Sequence, residues 1–402
     1  MPREYDIMVA GHLCIDVIPC FPDTGVTKID QVLRPGKLVN VHEAKISTGG
    51  SVSNTGMNMK ALGSNVRFCA CVGDDQFGKL TIDLLKQSGN ADGLHILEGT
   101  PSSYTVVVAP PGIDRILLHN PATNNRFTSD DLDPELIKQC RHFHFGYPPL
   151  MEKMFENEGK ELKNVFRIVK EAGATTSCDM TLPDPDSASG KAPWRKILQH
   201  ILPYVDIFVP SIEETFYMLH PEDFLKMKVQ HNNAELIDYF TPEDYSRIGE
   251  EILSMGCKIT TLKSGHRGFY IKTRAKETFK SMGAARPGDA DNWSNRELWA
   301  PAFKPSHFSS AAGSGDSSVA GLLAAFLRGL DIEESLKYAT CCGLQNVSAL
   351  DAVSGIKSWD ETTAMLQDNI PLIDAHIEAD GWVWSEDYSL WTGPGDPLNS
   401  KN

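Results

Sequence analysis

The sequence predicts an α/β protein with a mostly parallel central sheet, helices on both faces, and a small antiparallel β lid. Three observations carry this expectation. Short apolar runs rich in β-branched residues alternate with stretches of helical period, the pattern of βαβ units whose crossovers cover both sheet faces. Residues 17–48 and 100–120 break that rhythm with short alternating segments interrupted by Pro and Gly. Strands standing off the main sheet read this way. No segment recurs at a fixed period, which sets solenoids aside.

The elements follow in order. Residues 5–10 (YDIMVA) read as the first buried strand, and 66–73 (VRFCACVG) as the next. A helical pattern runs over 77–88 (FGKLTIDLLKQS). Residues 104–109 and 115–119 are strand-like lid segments, and 142–146 (HFHFG) returns to the central sheet. Helical stretches at 165–171 and 241–255 flank a strand at 206–210, and 258–264 (KITTLKS) is a further strand. Residues 221–240 are polar and irregular, and 276–295 carry Gly, Pro, Asp and Asn in loop fashion, so both read as surface insertions. From about 377 the chain is rich in Trp and acids and ends in GPGDPLNSKN, which reads as a frayed extension. The expected division is one domain over 1–376 and an extension over 377–402.

Composition narrows the function. With 38 Lys and Arg against 53 Asp and Glu, the formal charge is −15. General nucleic-acid and anionic-membrane surfaces need a basic footprint, so neither partner is expected. No apolar run approaches the roughly 20 residues of a membrane span, and MPREYDIMVAG lacks a signal-peptide pattern. The expectation is a cytoplasmic protein. None of the nine cysteines forms a C-x-x-C pair, and most sit in apolar runs, so they read as reduced, buried thiols. The spacings of His12, His144 and His266 match no zinc motif, and none of the three is read as a metal ligand.

The strongest chemical signal is SSAAGSGDSSVAGLLAAFLRG. Val319, Leu322, Leu323, Phe326 and Leu327 form an apolar helical stripe, so a helix starts near 315–317. Gly313 and Gly315 permit unusual backbone angles and a close approach. The free amides of a first helical turn, reinforced by the helix dipole, make an anion site. Asp316 in that turn suits a base placed beside a phosphate being transferred. Taken alone, the same residues also read as an ordinary helix cap. The Walker A spacing is missing.

A second signal spans 49–78. Gly49-Gly50 let backbone approach a ligand, and Asn54 offers both donor and acceptors for sugar hydroxyls. Leu62-Gly63 ends a helix, and Val72, Gly73, Asp75, Phe77 and Gly78 follow the next strand. Taken alone, a turn with a helix cap explains this stretch as well.

Together these two segments resemble the two signature regions of the PfkB-type, or ribokinase-like, carbohydrate kinases. The first resembles G-G-x-x-x-N, then L-G, then V-G-x-D-x-F-G. The second, Ser310-Ala311-Ala312-Gly313-Ser314-Gly315-Asp316, is similar to D-T-x-G-A-G-D. Gly11 and Asp16, the PATNN stretch at 121–125, Asp179 with Trp194, the 209–214 stretch ending in Glu214, and LKSGHRG at 262–268 resemble further family marks in family order, from about 5 to about 370. Three positions depart. Ser310-Ala311-Ala312 replaces D-T-x, Ser211 replaces the Asn of N-x-x-E, and Ser51 stands where phosphosugar and ribose kinases often carry Lys.

The resemblance implies a three-layer α/β/α sandwich and transfer of the ATP γ-phosphoryl group to a sugar hydroxyl. It implies Asp316 as base, with the amides of Gly313, Ser314 and Gly315 as anion hole. It implies Asp16, Gly49, Gly50 and Asn54 around the sugar, and Lys263, Gly265, Gly268 and Asn346 around the nucleotide. Glu214 would act on Mg²⁺ through water. A monovalent cation belongs to the family pattern, and Ser310-Ala311-Ala312 weakens that expectation here. Ser51 in place of Lys favours an unphosphorylated sugar or polyol. Family lids often pair between subunits, so a homodimer is implied. A nucleoside kinase of the same fold and a non-catalytic sugar or nucleotide sensor stand as alternatives.

Overall fold

The computed structural model describes residues 3–113 and 115–399. Fifteen strands lie among them. They are β1 (Tyr5–Gly11), β2 (Cys14–Pro19), β3 (Ala44–Gly49), β4 (Val66–Gly73), β5 (Asn90–Leu97), β6 (Tyr104–Val108), β7 (Ile116–Asn120) and β8 (Cys140–Gly146). The rest are β9 (Thr175–Asp179), β10 (Ile207–Phe208), β11 (Ile259–Lys263), β12 (Phe269–Thr273), β13 (Glu297–Ala300), β14 (Val383–Ser385) and β15 (Leu390–Thr392). Eleven form one sheet in the order β14-β15-β13-β12-β11-β10-β9-β8-β1-β4-β5. Pairing is parallel from β11 through to β5 and antiparallel from β11 out to β14.

The period of two in each strand divides the core between the two faces. In β1, Ile7 and Val9 face a layer built by the helices Ser51–Ala61, Ser314–Leu327 and Ile332–Val347. Met8 and Ala10 face the opposite layer, with the helices Lys160–Glu171, Trp194–Ile201 and Pro242–Ser254. Strands buried on both faces carry almost continuous apolar runs, which is why they were legible. Eight of the nine cysteines are buried and all nine are unpaired.

The lid is the second sheet, ordered β3-β2-β6-β7. Its β2–β3 and β6–β7 pairings are antiparallel, while the middle pair, β2 with β6, is parallel. Asp75 ties the lid to the body. Its carboxylate caps the Gln76–Lys86 helix through the Gly78 amide (2.8 Å) and accepts from the Ser102 amide (2.9 Å) and hydroxyl (2.6 Å). The V-G-x-D-x-F-G stretch is therefore an anchor for the segment that enters β6.

Three surface readings need correction. Residues 221–240 hold a helix, Pro221–Gln230, begun by a proline at its first position. Phe224, Leu236 and Phe240 from this segment are buried, and the Arg267 guanidinium donates to the Ile237 and Phe240 carbonyls. Residues 276–295 form a plug, because Phe279, Met282, Ala285 and Trp293 all bury. Widely spaced apolar anchors among polar residues have no period to reveal them. The segment after 377 is no frayed tail as far as 399. It adds β14 and β15 to the sheet edge, buries Leu390, and packs Trp382 edge-on against Trp299 and tilted against Tyr270. Residues 400–402 lie outside the described residues.

A buried carboxylate fastens this edge. Asp396 Oδ2 accepts from Arg296 Nε and from the Glu297 amide, both at 2.9 Å, and Arg296 also pairs with Glu333 at 2.7 Å. Removing one member of a buried pair strands the other charge. Asp396→Ala should cost about 3 kcal/mol, read as a lower urea midpoint at unchanged slope. A midpoint equal to wild type would show that Glu333 alone satisfies Arg296.

Candidate active site

The site lies where open α/β sheets place ligands, at the carboxyl ends of the parallel strands. Four strand ends supply it: Gly11 of β1, Gly146 and Tyr147 of β8, Asp179 of β9, and Lys263 of β11. Gly11 and Gly146 are cross-strand partners, and a Cβ on Gly11 would stand 2.4 Å from the Gly146 carbonyl oxygen. Glycine is needed here for the strands to approach. Tyr147 leaves the strand in the left-handed region (φ 63°), an uncommon conformation for a side-chain-bearing residue.

Asp316 lies in the first turn of the Ser314–Leu327 helix and is 2 % exposed. Three neighbours aim donors at it. Asn54 Nδ2 donates to Oδ2 at 2.9 Å, the Tyr147 hydroxyl lies 2.8 Å from both oxygens, and Thr55 Oγ1 lies 3.4 Å from Oδ1. Burial raises its pKa, and the donors from Asn54 and Tyr147 work against that rise. Gly313 precedes the helix at φ 75°, and a Cβ there would collide with Ala352 at 2.3 Å. Asn58 braces the turn from below, donating to Ser317 Oγ at 2.9 Å and to the Ala352 carbonyl at 3.1 Å.

Beside Asp316 sits a charge cluster. Lys263 Nζ pairs with Asp179 Oδ1 at 2.5 Å. Burial disfavours the ammonium, but the fields of Asp179, Glu214 and Asp316 outweigh it and raise the Lys263 pKa. Burial likewise pushes up the carboxyls of Asp179 and Glu214, and Lys263 opposes both shifts. Glu214 also closes a capping box, accepting from the Ser211 amide at 2.7 Å. Ser211 thus does a helix-capping task in place of Asn.

A cavity of about 350 Å³ opens next to this cluster. Lys263, Gly265, His266, Gly268, Ser314 and Gly315 are among its lining residues. Phe303, Phe308, Leu344, Val347 and Ile373 supply apolar lining. Gly265 (φ 51°) and Gly268 (φ 103°) let the β11–β12 turn skirt it.

Most predicted site residues converge, with two differences. Asn346 does not line the cavity. It is fully buried and donates to the Asp351 carbonyl at 3.3 Å, while Gly343, Leu344 and Val347 of the same helix face the cavity. The Ser314 amide is engaged by the Ala311 carbonyl at 3.2 Å, which closes the turn before the helix. On the lid side, Asp16 stands in β2, and a Cβ on Gly49 would lie 2.2 Å from its carboxylate, so Gly49 makes room for Asp16. Gly50 starts the Ser51–Ala61 helix at φ 85° and packs on His12. His266 pairs with Asp238 at 2.8 Å, and His144 is buried against Ser177 at 2.8 Å. Thr55, Asn58 and Tyr147 were missed. The signal for Tyr147 was its place directly after a strand and before Pro148-Pro149, where a side chain must turn over the sheet edge.

Residues 5–359 match the pfkB family carbohydrate kinase model. The chain belongs to this family. It is a sugar kinase, a phosphotransferase with an alcohol acceptor. Among curated relatives, a fructokinase of Solanum tuberosum is 27% identical over 274 residues, covering 66% of this kinase and 75% of the relative. Probable fructokinase-7 of Arabidopsis thaliana is 23% identical over 364 residues, covering 87% and 92%. The kinase shares its fold with a putative ribokinase II of E. coli, with TM-score 0.66, 20% identity, and 90% and 99% of the two chains covered. Arabidopsis thaliana ribokinase complexed with ribose and ATP aligns at TM-score 0.66 and 16% identity, covering 92% and 100%.

Asp179, Glu214 and Asp316 all hold protons more tightly folded than unfolded. Their contribution therefore favours folding at low pH and is lost as pH rises through the folded values. Lys263→Met removes the opposing charge and raises those values further. The variant's stability should fall more steeply than wild type between about pH 5 and pH 8, reaching a deficit of about 3 kcal/mol at the upper end. Urea midpoints across that range check this, and parallel curves would show that Lys263 does not balance the cluster.

Proposed function

We propose that this kinase phosphorylates a hydroxyl of an unphosphorylated sugar with ATP, using Asp316 as the base. The observation that carries the reading is the convergence of Asn54, Thr55 and Tyr147 on one buried carboxylate at a helix start beside a cavity. Donors held this way fix both oxygens and keep the carboxylate ionised and aimed. It would accept the proton of the sugar hydroxyl as that oxygen attacks.

The donor set fits a magnesium–nucleotide complex. If all three carboxylates are ionised, Asp179, Glu214 and Asp316 outnumber Lys263, and a bare triphosphate would be repelled. A divalent cation reverses that field. Asp179 Oδ2 is buried without a hydrogen-bond partner, so it and Glu214 would hold hydrated Mg²⁺. When bound, ATP supplies the phosphoryl group to be transferred. The Gly315 amide, the helix start and Lys263 would hold its charge, with Gly313 shaping the turn. Gly265 and Gly268 would let the nucleotide lie against the β11–β12 turn, with the base against the apolar side chains of the cavity. Nothing supports a role for Asn346 there.

Asp16 and Asn54 would bind the sugar, with Gly49 and Gly50 giving the ring access. Ser51 is fully buried, so no cation follows the glycine pair to receive a second phosphate. Fructose is the first acceptor to test, a choice supported by the fructokinases among the relatives. The lid would close over the sugar and exclude water.

Asp316→Asn should lower kcat by about 10³-fold while ATP-Mg²⁺ still raises the melting temperature. Wild-type turnover in that variant would remove Asp316 as base. Tyr147→Phe removes a donor that stabilises the ionised carboxylate, so the acid limb of the kcat/KM profile should move to higher pH, with about tenfold lower kcat. An unmoved limb would mean that Tyr147 only packs. Fructose, ribose and nucleosides assayed side by side decide the acceptor class, and turnover of nucleosides alone would replace the sugar reading.

A further inference from the structure

Lid and body also meet at a cluster that phosphoryl transfer does not use. His12 follows β1, Cys14 opens β2, and His119 lies on β7. His12 and Cys14 are 3 % and 4 % exposed, while His119 faces solvent. The Nε2 atoms of the two histidines are 3.3 Å apart. One ligand atom from each of the three residues lies within 4.8 Å of the others. Thr105 Oγ1 sits 3.0 Å from His119 Nδ1 and holds that ring with Nε2 toward His12. His12 Nδ1 has no partner, so Nε2 makes that ring's polar contact.

The separation of the two imidazole nitrogens, with the Cys14 sulfur within 4.8 Å of both residues' ligand atoms, suits one kind of occupant. Zn²⁺ holds imidazole nitrogen at about 2.0–2.1 Å and thiolate sulfur at about 2.3 Å. Tetrahedral geometry then sets ligand nitrogens about 3.3–3.4 Å apart, and nitrogen and sulfur about 3.6 Å apart. Two imidazoles with a thiolate suit zinc-like cations, whereas Mg²⁺ and Ca²⁺ require oxygen ligands. Thr105 supplies the outer hydrogen bond that ligating histidines use to fix ring and tautomer.

We propose that His12, Cys14 and His119 form a Zn²⁺ site that ties lid strand β7 to the end of β1. Binding exchanges the Cys14 S–H bond for a metal–thiolate bond, and the proton leaves to solvent. Asp16 Oδ1 lies 3.3 Å from the same sulfur, so a cation here would stand beside the lid carboxylate. The site concerns the junction of lid and body and stands independently of the sugar reading.

Co²⁺ added to the metal-free full chain should bind at one equivalent with thiolate-to-metal charge-transfer absorption, and one equivalent of Zn²⁺ should displace it. Cys14→Ser should abolish that absorption. His119→Ala, at a solvent-facing lid position, should weaken Zn²⁺ about tenfold or more with an unchanged circular dichroism spectrum. Zn²⁺ should also slow amide exchange in β7 of the wild type, and not in His119→Ala. Absence of stoichiometric binding, binding without the thiolate absorption, or wild-type Zn²⁺ affinity in His119→Ala overturns the proposal.

Discussion

The ammonium of Lys263 holds together a region that would otherwise repel itself. It is paired with Asp179 and lies within the fields of Glu214 and Asp316. Each of these groups stands at a strand end or a helix start. The charged ammonium therefore favours the convergence of the four backbone segments that carry them. The direction in which Asp316 points is set by its hydrogen bonds from Asn54, Thr55 and Tyr147. With all three carboxylates ionised the centre would be net negative, and in the proposed reaction a polyanion would enter it together with a divalent cation.

Glycine does the complementary work of letting segments touch. Gly11 against Gly146, Gly49 against Asp16, and Gly313 against Ala352 each mark a contact that a single Cβ would prevent. The charged groups attract and the glycines permit the approach. Tyr147 uses a strained backbone position to spend its hydroxyl on Asp316. Strain at a site of this kind is held in place by the packed sheet beneath it.

Much of this was legible in the sequence because it is local. Gly313, Gly315 and Asp316 lie in one turn, and the strand runs carry a period that one window reveals. What escaped depends on distance along the chain. Tyr147 lies 169 residues from Asp316, and His12 lies 107 from His119. No spacing rule joins such pairs, since the topology of the sheet brings them together. Asn346 misled for a different reason: its helix does line the cavity, but a step along the helix turns its side chain inward. The segments at 221–240, 276–295 and beyond 377 were misjudged on composition. A few buried aromatics among Gly, Pro and acids suffice to pin a chain that has no amphipathic period.

The edge strands β14 and β15 carry a temporal consequence. Asp396 follows Arg296 by 100 residues, yet it supplies an ion-pair partner for that buried guanidinium. On a ribosome the antiparallel wing of the sheet emerges long before its closing strand. Until that strand arrives, β13 presents an unpaired edge and Arg296 has only Glu333 for its charge. The parallel half of the sheet is complete in the chain once β11 has emerged, whereas the wing waits for β15. Chaperone engagement is thus expected in the interval between the emergence of β13 and that of β15, at the exposed β13 edge.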